Sequence, residues 1–141
     1  MSIVTAQATS GQVLTARTVL KIVYVEPVKT GSGLTIEVEK YPKEVEPGNI
    51  YTVTFYGELQ QAGNVYADVY YTLTLSIPSQ NKEKIVADGK DTWDPYVIKK
   101  KFTVVFTCPD FDLPPGTYDA KLEIELRYVP TAGKPPGVYP Y

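Results

Sequence analysis

Two groups of aspartates are the residues of this chain whose type and spacing could do chemistry. Asp88, Asp91 and Asp94 fall in one predicted loop, and Asp110 and Asp112 fall in another. Such loops supply oxygen ligands to calcium, but the spacing does not match an EF-hand loop, and neither group identifies the paired carboxylates of a glycosidase. Aspartate is also common in short polar turns, where its side chain bonds to nearby backbone. We therefore expect turn-forming aspartates and no metal site, with calcium binding as the alternative.

Histidine is absent from the sequence, and Cys108 is its only cysteine. Without histidine, no Cys-His pair, no Ser-His-Asp triad and no His-bearing zinc site can form. A single cysteine cannot form an intrachain disulfide. Cys108 ends an apolar run, so we expect a small buried hydrophobe rather than a reactive thiol. The chain is predicted to be no enzyme and to bind no cofactor.

Size and charge narrow the class of protein and its partners. The 141 residues suffice for one domain with a sizeable core. The net charge of -2 lacks the basic field that nucleic acid or an anionic membrane surface would attract. No apolar run approaches the roughly 20 residues of a membrane helix, and residues 1–12 lack the regions of a secretory signal. We expect a protein made and kept on the cytoplasmic side, with neither nucleic acid nor a membrane as partner.

The clearest element is a strand over residues 117–129. Its polar residues, such as Asp119, Lys121 and Glu123, alternate with apolar ones at a period of two. The apolar face consists of Tyr118, Ala120, Leu122, Ile124, Leu126 and Tyr128. A strand with one solvent-exposed face must bury its opposite, apolar face. A second sheet is therefore predicted to pack against the apolar face.

Residues 65–77 alternate in the same way. The apolar face consists of Val65, Ala67, Val69, Tyr71, Leu73, Leu75 and Ile77. The opposite face carries Tyr66, Asp68 and Tyr70, and aromatic residues on a supposedly wet face suggest an interface. We expect Tyr66 and Tyr70 to contact an arm of the same or an adjacent subunit, with simple exposure as the alternative.

Further strands are predicted over residues 18–25, 34–41, 50–59 and 97–107, with at most a short edge strand over 84–88. The first is expected to stop before Pro27, because proline cannot continue a ladder. In the 97–107 strand the inward residues are predicted to be Ile98, Phe102, Val104 and Phe106. Near-regular spacing, turn signals and no helical periodicity indicate an all-β fold, an antiparallel β-sandwich of about seven strands over residues 18–129.

The stretches GELQQAGNVYADVYYTLTL and LPPGTYDAKLEIEL carry a resemblance. They are similar to the immunoglobulin-like modules of the CARDB kind found on prokaryotic and archaeal surface proteins, with a long strand after a polar turn and a final Pro-Gly-x-Tyr corner. The resemblance implies an immunoglobulin-like fold and an adhesive or structural role. The Cys-Trp-Cys core of antibody domains is lacking, since Trp93 falls in the predicted loop over residues 88–95. Trp93 is expected to fold over the sandwich end or to contact a sugar or a partner.

Extended arms are predicted at both ends of the sandwich. Residues 1–17 read as an N-terminal arm, with a disordered terminus as the alternative. Its aliphatic residues Ile3, Val4, Val13 and Leu14 favour docking on a partner. Residues 130–141 form a tail whose prolines exclude a helix or a central strand. Its Tyr139 and Tyr141 suit either a solvated end or an extended segment laid in a neighbour's groove.

These features predict a structural protein of a virus or phage particle, such as a capsid accessory or decoration protein, located in the virion. Its partners would be further copies of itself and a capsid subunit, because arms that order on assembly can clasp neighbours. Scarce Cys and Met with abundant Tyr, Pro, Lys and Glu would suit a thermophilic host. The alternatives are a cell-surface or pilus adhesion module and a carbohydrate-binding module.

Overall fold

The computed structural model describes residues 16–30 and 33–131. Their regular structure consists of eight strands and a short 3-10 turn, Pro78–Gln80, between the fifth and sixth strands. The strands are β1 (Thr18–Thr30), β2 (Leu34–Lys40), β3 (Glu44–Val45), β4 (Ile50–Leu59), β5 (Ala67–Ile77), β6 (Lys82–Trp93), β7 (Lys99–Thr107) and β8 (Gly116–Pro130). The predicted all-β fold is confirmed.

Two sheets pack face to face. One has the strand order β3-β1-β8-β5-β6, and the other has the order β2-β4-β7. Alternation along the strands turns one apolar face of each sheet inward, as the sequence predicts. The largest fully buried side chains are Trp93, Phe55, Leu20, Leu34, Leu73, Leu75, Ile77, Leu122, Ile124 and Leu126. The sandwich is thus closed by a single aliphatic and aromatic core.

The turn that precedes β8 is closed by a side-chain hydrogen bond. Tyr118 Oη donates a hydrogen bond of 2.6 Å to the carbonyl oxygen of Pro114, four residues upstream. A tyrosine that bonds back to the chain in this way is a tyrosine corner, which occurs in β-sandwiches. Here β8 has β5 on one side, antiparallel, and β1 on the other.

The pairing of β1 with β8 is parallel, whereas the other strand pairs are antiparallel. It runs from Thr18 opposite Gly116 to Thr30 opposite Arg127. The chain therefore enters the sheet at the end where β8 begins and leaves it at the other end. At the end where β8 begins, the amide of Gly116 donates a hydrogen bond of 2.9 Å to the carbonyl oxygen of Arg17. At the end where β8 stops, the amide of Thr131 donates a hydrogen bond of 3.0 Å to the carbonyl oxygen of Tyr66.

The predicted end of the first strand is wrong, since β1 continues through Pro27 to Thr30. Its second neighbour, β3, pairs only with Leu20 and Lys21. Beyond Lys21, no strand in the described part of the chain pairs with the edge of β1 that faces away from β8. A proline whose nitrogen faces this unpaired edge removes no ladder hydrogen bond.

The predicted loop over residues 88–95 is also wrong, because β6 pairs with β5 continuously from Lys82 to Trp93 apart from one irregularity. Asp, Gly and Lys have low strand propensity, yet the long partner β5 supplies the ladder. Gly89 lies opposite Tyr71, whose ring occupies the space where a Cβ of residue 89 would be. The strand after it starts at Lys99 rather than at residue 97, and Ile98, predicted to point inward, is 43% exposed.

Candidate interaction surface

The outer face of the five-stranded sheet is a candidate for contact with a partner. It has two distinct regions. We call the region around Tyr66, Asp68, Tyr70 and Arg127, towards the end of β8, the aromatic patch. We call the region lined by Val23, Tyr24, Pro78, Ser79, Asp119, Ala120 and Lys121, near the start of β8, the apolar groove.

The aromatic patch is built by regular alternation on β5. Tyr66, Asp68 and Tyr70 are half-buried beside a buried inner row. Tyr70 pairs with Arg127 of β8 and with Lys90 of β6. The guanidinium carbon of Arg127 lies 4.3 Å from the centre of the Tyr70 ring, a cation–π contact. One face of the Tyr70 ring is therefore already in contact with a cation of the same chain.

Beside Tyr70 lies a shallow depression of about 360 Å³ whose rim alternates in charge. The charged residues of the rim are Asp88, Lys90, Glu125 and Arg127. Tyrosine and arginine are enriched at protein interfaces, whereas Lys, Glu and Asp are depleted there. The outward position of Tyr66 and Tyr70 agrees with the sequence pattern, and their contact with a partner stays a prediction.

The apolar groove arises from a break in alternation on β1. Ile22 pairs with Ala120 and Tyr24 pairs with the next residue, Lys121, so Val23 is an extra residue in a β-bulge. The bulge leaves Val23 57% and Tyr24 55% exposed. Sequence reasoning missed this region. The signal was the adjacent pair Ile22-Val23, which breaks the period of two.

Pro78 forms the opposite wall of the groove, and the groove volume is about 330 Å³. At its rim, Lys121 Nζ donates a hydrogen bond of 2.9 Å to Glu26 Oε1. This hydrogen bond, together with the charge of Glu26, raises the pKa of Lys121. Asp119, on the same rim, has no ion-pair partner among the described residues.

Two of the aspartates, Asp91 and Asp110, have structural partners. Asp91 lies on β6, forms an ion pair with Lys100 (Oδ2 to Nζ, 3.3 Å) and accepts a hydrogen bond from the amide of Thr92. Asp110 Oδ1 accepts a hydrogen bond of 2.8 Å from the amide of Asp112, which is the expected turn. Asp88 also lies on β6 rather than in a loop. In residues 16–30 and 33–131, no group of three or more acidic, Cys or His side chains is arranged to hold a metal ion.

Trp93 is the last residue of β6 and is fully buried. Its Nε1 donates a hydrogen bond of 2.7 Å to the carbonyl oxygen of Val97, and its ring packs edge-on against Tyr128 with centroids 5.5 Å apart. The predicted loop position is wrong, and the side chain has no surface to offer a sugar or a partner. Gly57 was the available signal, because a Cβ at this inner position of β4 would lie 3.1 Å from the Trp93 ring.

Cys108 is buried, as expected for a small hydrophobe. Burial, together with the nearby charges of Asp110 and Glu46, raises the pKa of its thiol to about 11. The remaining predicted contact residues, Ile3, Val4, Val13, Leu14, Tyr139 and Tyr141, lie outside the described residues.

Within the described residues, none of the helical structure has the length and apolar character needed to cross a membrane. Comparison of the chain with protein-family models, with curated proteins and with solved structures finds no match.

Proposed function

We propose that this chain is a non-catalytic structural protein that holds subunits together, and specifically an accessory or decoration protein of a virus or phage capsid. The observation that carries the proposal is the parallel pairing of the first and last strands, β1 and β8. Residues 1–15 and 132–141 consequently join the sandwich at opposite ends.

The distance between these two ends suits a protein that bridges neighbours. β8 has 15 residues, and a strand rises about 3.3 Å per residue, which places the two junctions on the order of 45 Å apart. Extended terminal segments can cover large surfaces of adjacent subunits. A module held at both ends can therefore link one neighbour to the next.

The aromatic patch supports the same proposal from the side of the sandwich. Tyrosine and arginine are enriched among the residues that dominate binding energy at interfaces. Tyr70 and Arg127 lie between the two ends, and Tyr66 lies at the second end, where a flanking subunit could contact all three. The chain would then have one lateral and two terminal contacts.

Solution mass is the direct test of assembly. We expect the full chain to show a mass in light scattering that rises with concentration, and a chain limited to residues 16–131 to stay a monomer with the same unfolding midpoint. Because both constituent sheets lie in residues 16–131, equal melting would show that the fold is intact. Monomers for both chains at every concentration would contradict the proposal.

A cell-surface or pilus module is the second candidate, because contacts at opposite ends also suit a fibre of linked modules. An antiserum against the chain should detect it in gradient-purified particles and not in the cell-envelope fraction. Detection only in the envelope would favour the second candidate.

The carbohydrate-binding alternative has lost its main support, because Trp93 is buried. A glycan-array screen is therefore expected to be negative.

A further inference from the structure

We propose that the apolar groove binds the Pro- and Tyr-rich segment 132–141 of a second copy of this chain. The inference rests on the proposed function, because it identifies the site through which one end of a copy holds the next. It follows from the surface of the groove, the composition of the segment and the distance between them.

The groove offers an apolar surface that the described residues leave uncovered. Val23 and Tyr24 are more than half exposed, although both lie within a strand of the larger sheet. Pro78 faces them across the groove. A surface of proline and tyrosine is suited to extended proline-rich segments, which bind in aromatic-lined grooves without losing much conformational entropy.

Segment 132–141 has the matching composition. Its sequence is AGKPPGVYPY, and Lys134 is its only charged residue. The stretch after Lys134 contains two prolines, a glycine, a valine and then Tyr139, Pro140 and Tyr141. Residues 1–15 have aliphatic residues but no proline and no aromatic residue, and so lack the composition that suits such a groove.

The distance within one copy argues for a second copy. The groove lies beside Ala120, eleven residues before Thr131, which is about 36 Å along a strand. Tyr139 and Tyr141 follow Thr131 by eight and ten residues, which reach about 25 Å and about 31 Å in a polyproline conformation. The segment would also have to reverse its direction. Its own tyrosines therefore fall short of its own groove.

When two copies stack end to end, segment 132–141 of one copy is close enough to reach the groove of the other. The groove begins about four residues from the start of β8, or roughly 13 Å from that end of the sandwich. The segment leaves from the opposite end of the copy below, so Tyr139 can reach Val23 and Tyr24. Such a contact is head-to-tail, and repetition of it produces a ring or a filament.

Four chains test the inference by sedimentation velocity. They are the full chain, a chain lacking residues 132–141, the groove variant Val23→Ser/Tyr24→Ser, and the control Val105→Ser. Val105 is 60% exposed on the other sheet, and so matches Val23 in exposure. We expect the full chain and the control to associate alike, and the other two to associate about 30-fold more weakly or not at all, as for loss of a dominant contact residue.

A mixture of the two defective chains gives the sharpest result. The groove variant still carries the segment, and the chain lacking residues 132–141 still carries the groove. Together they should form a 1:1 complex that grows no further. A mixture with no complex, or normal association of the chain lacking residues 132–141, would overturn the inference.

The outcomes also separate this inference from the proposed function. If removal of residues 1–15 abolishes association while removal of residues 132–141 does not, assembly stands and segment 132–141 is not what holds the copies together. As an independent measurement, a peptide of residues 132–141 should shift the amide resonances of Val23, Tyr24 and Ala120 in the chain lacking that segment. Shifts at these amides on removal of residues 1–15, with none from the peptide, would assign the groove to the N-terminal segment and contradict the inference.

Discussion

The aromatic patch and the apolar groove lie on the same face of the same sheet, yet they are built differently. On β5 the alternation is regular, so each outward tyrosine stands among polar neighbours, and Tyr70 has Arg127 over its ring. On β1 the bulge at Val23 interrupts the alternation and turns an aliphatic side chain towards solvent. The regular ladder thus places its aromatic ring in contact with a cation of the same chain, whereas a single extra residue leaves an aliphatic side chain exposed.

The largest expected effect on unfolding free energy comes from the core beneath the aromatic patch. Trp93 lies under the aromatic-patch end of the sandwich, so Trp93→Ala should cost about 3–5 kcal/mol of unfolding free energy by leaving a cavity. Hydrogen exchange should increase most in β6 and at the end of β8, and least around Ala120. Urea unfolding and amide exchange measure this, with the exposed Tyr96→Ala as the control. Uniform loss of protection would show that the two ends are not energetically distinct.

A smaller effect is expected at Gly89, which lies beside the aromatic patch. A valine there would collide with the ring of Tyr71, so Gly89→Val should cost about 1–3 kcal/mol. The neighbouring Thr92→Val is the control, and it should cost little. In the background of Tyr71→Ala the penalty for Gly89→Val should shrink, as expected for residues in contact. An unchanged penalty would mean that strand geometry, rather than the ring, requires the glycine.

The cation–π contact of the aromatic patch should contribute less again. A double-mutant cycle of Arg127→Gln and Tyr70→Leu should give a coupling of about 0.5–1 kcal/mol in urea unfolding. The equivalent cycle with Tyr66 in place of Tyr70 provides the comparison, and its coupling should be near zero. Equal couplings would show that the region is not organised around Tyr70.

The smallest effect on stability is expected from deletion of Val23. The pairs of Ile22 with Ala120 and of Tyr24 with Lys121 are already consecutive on β8, so the deletion leaves each of them available. Unfolding free energy should change by less than about 1 kcal/mol, because no buried side chain is lost. Amide contacts between β1 and β8 in NMR spectra should be retained. Loss of this pairing would show that β1 needs the bulge in order to pair with β8.

Much of the fold could be predicted from the sequence, because it depends on local alternation. The bounds of β4 agree with the prediction, β8 differs by one residue at each end, and the inner rows of β5 and β8 are those expected. The strand β6 could not be predicted, since its residues favour loops and only the partner β5 makes them a strand. The groove depends on pairs far apart in the sequence, such as Tyr24 with Lys121 and the proximity of Pro78.

Pro27 limits the growth of the larger sheet at its β1 edge. It stands on β1 beyond the short β3, where another chain's strand could otherwise extend the sheet by its backbone. A ring nitrogen carries no hydrogen to donate, so a continuous added ladder is interrupted there. At this edge, copies of this protein would accordingly meet through side-chain contacts, and not through the continuous backbone pairing that leads to amyloid.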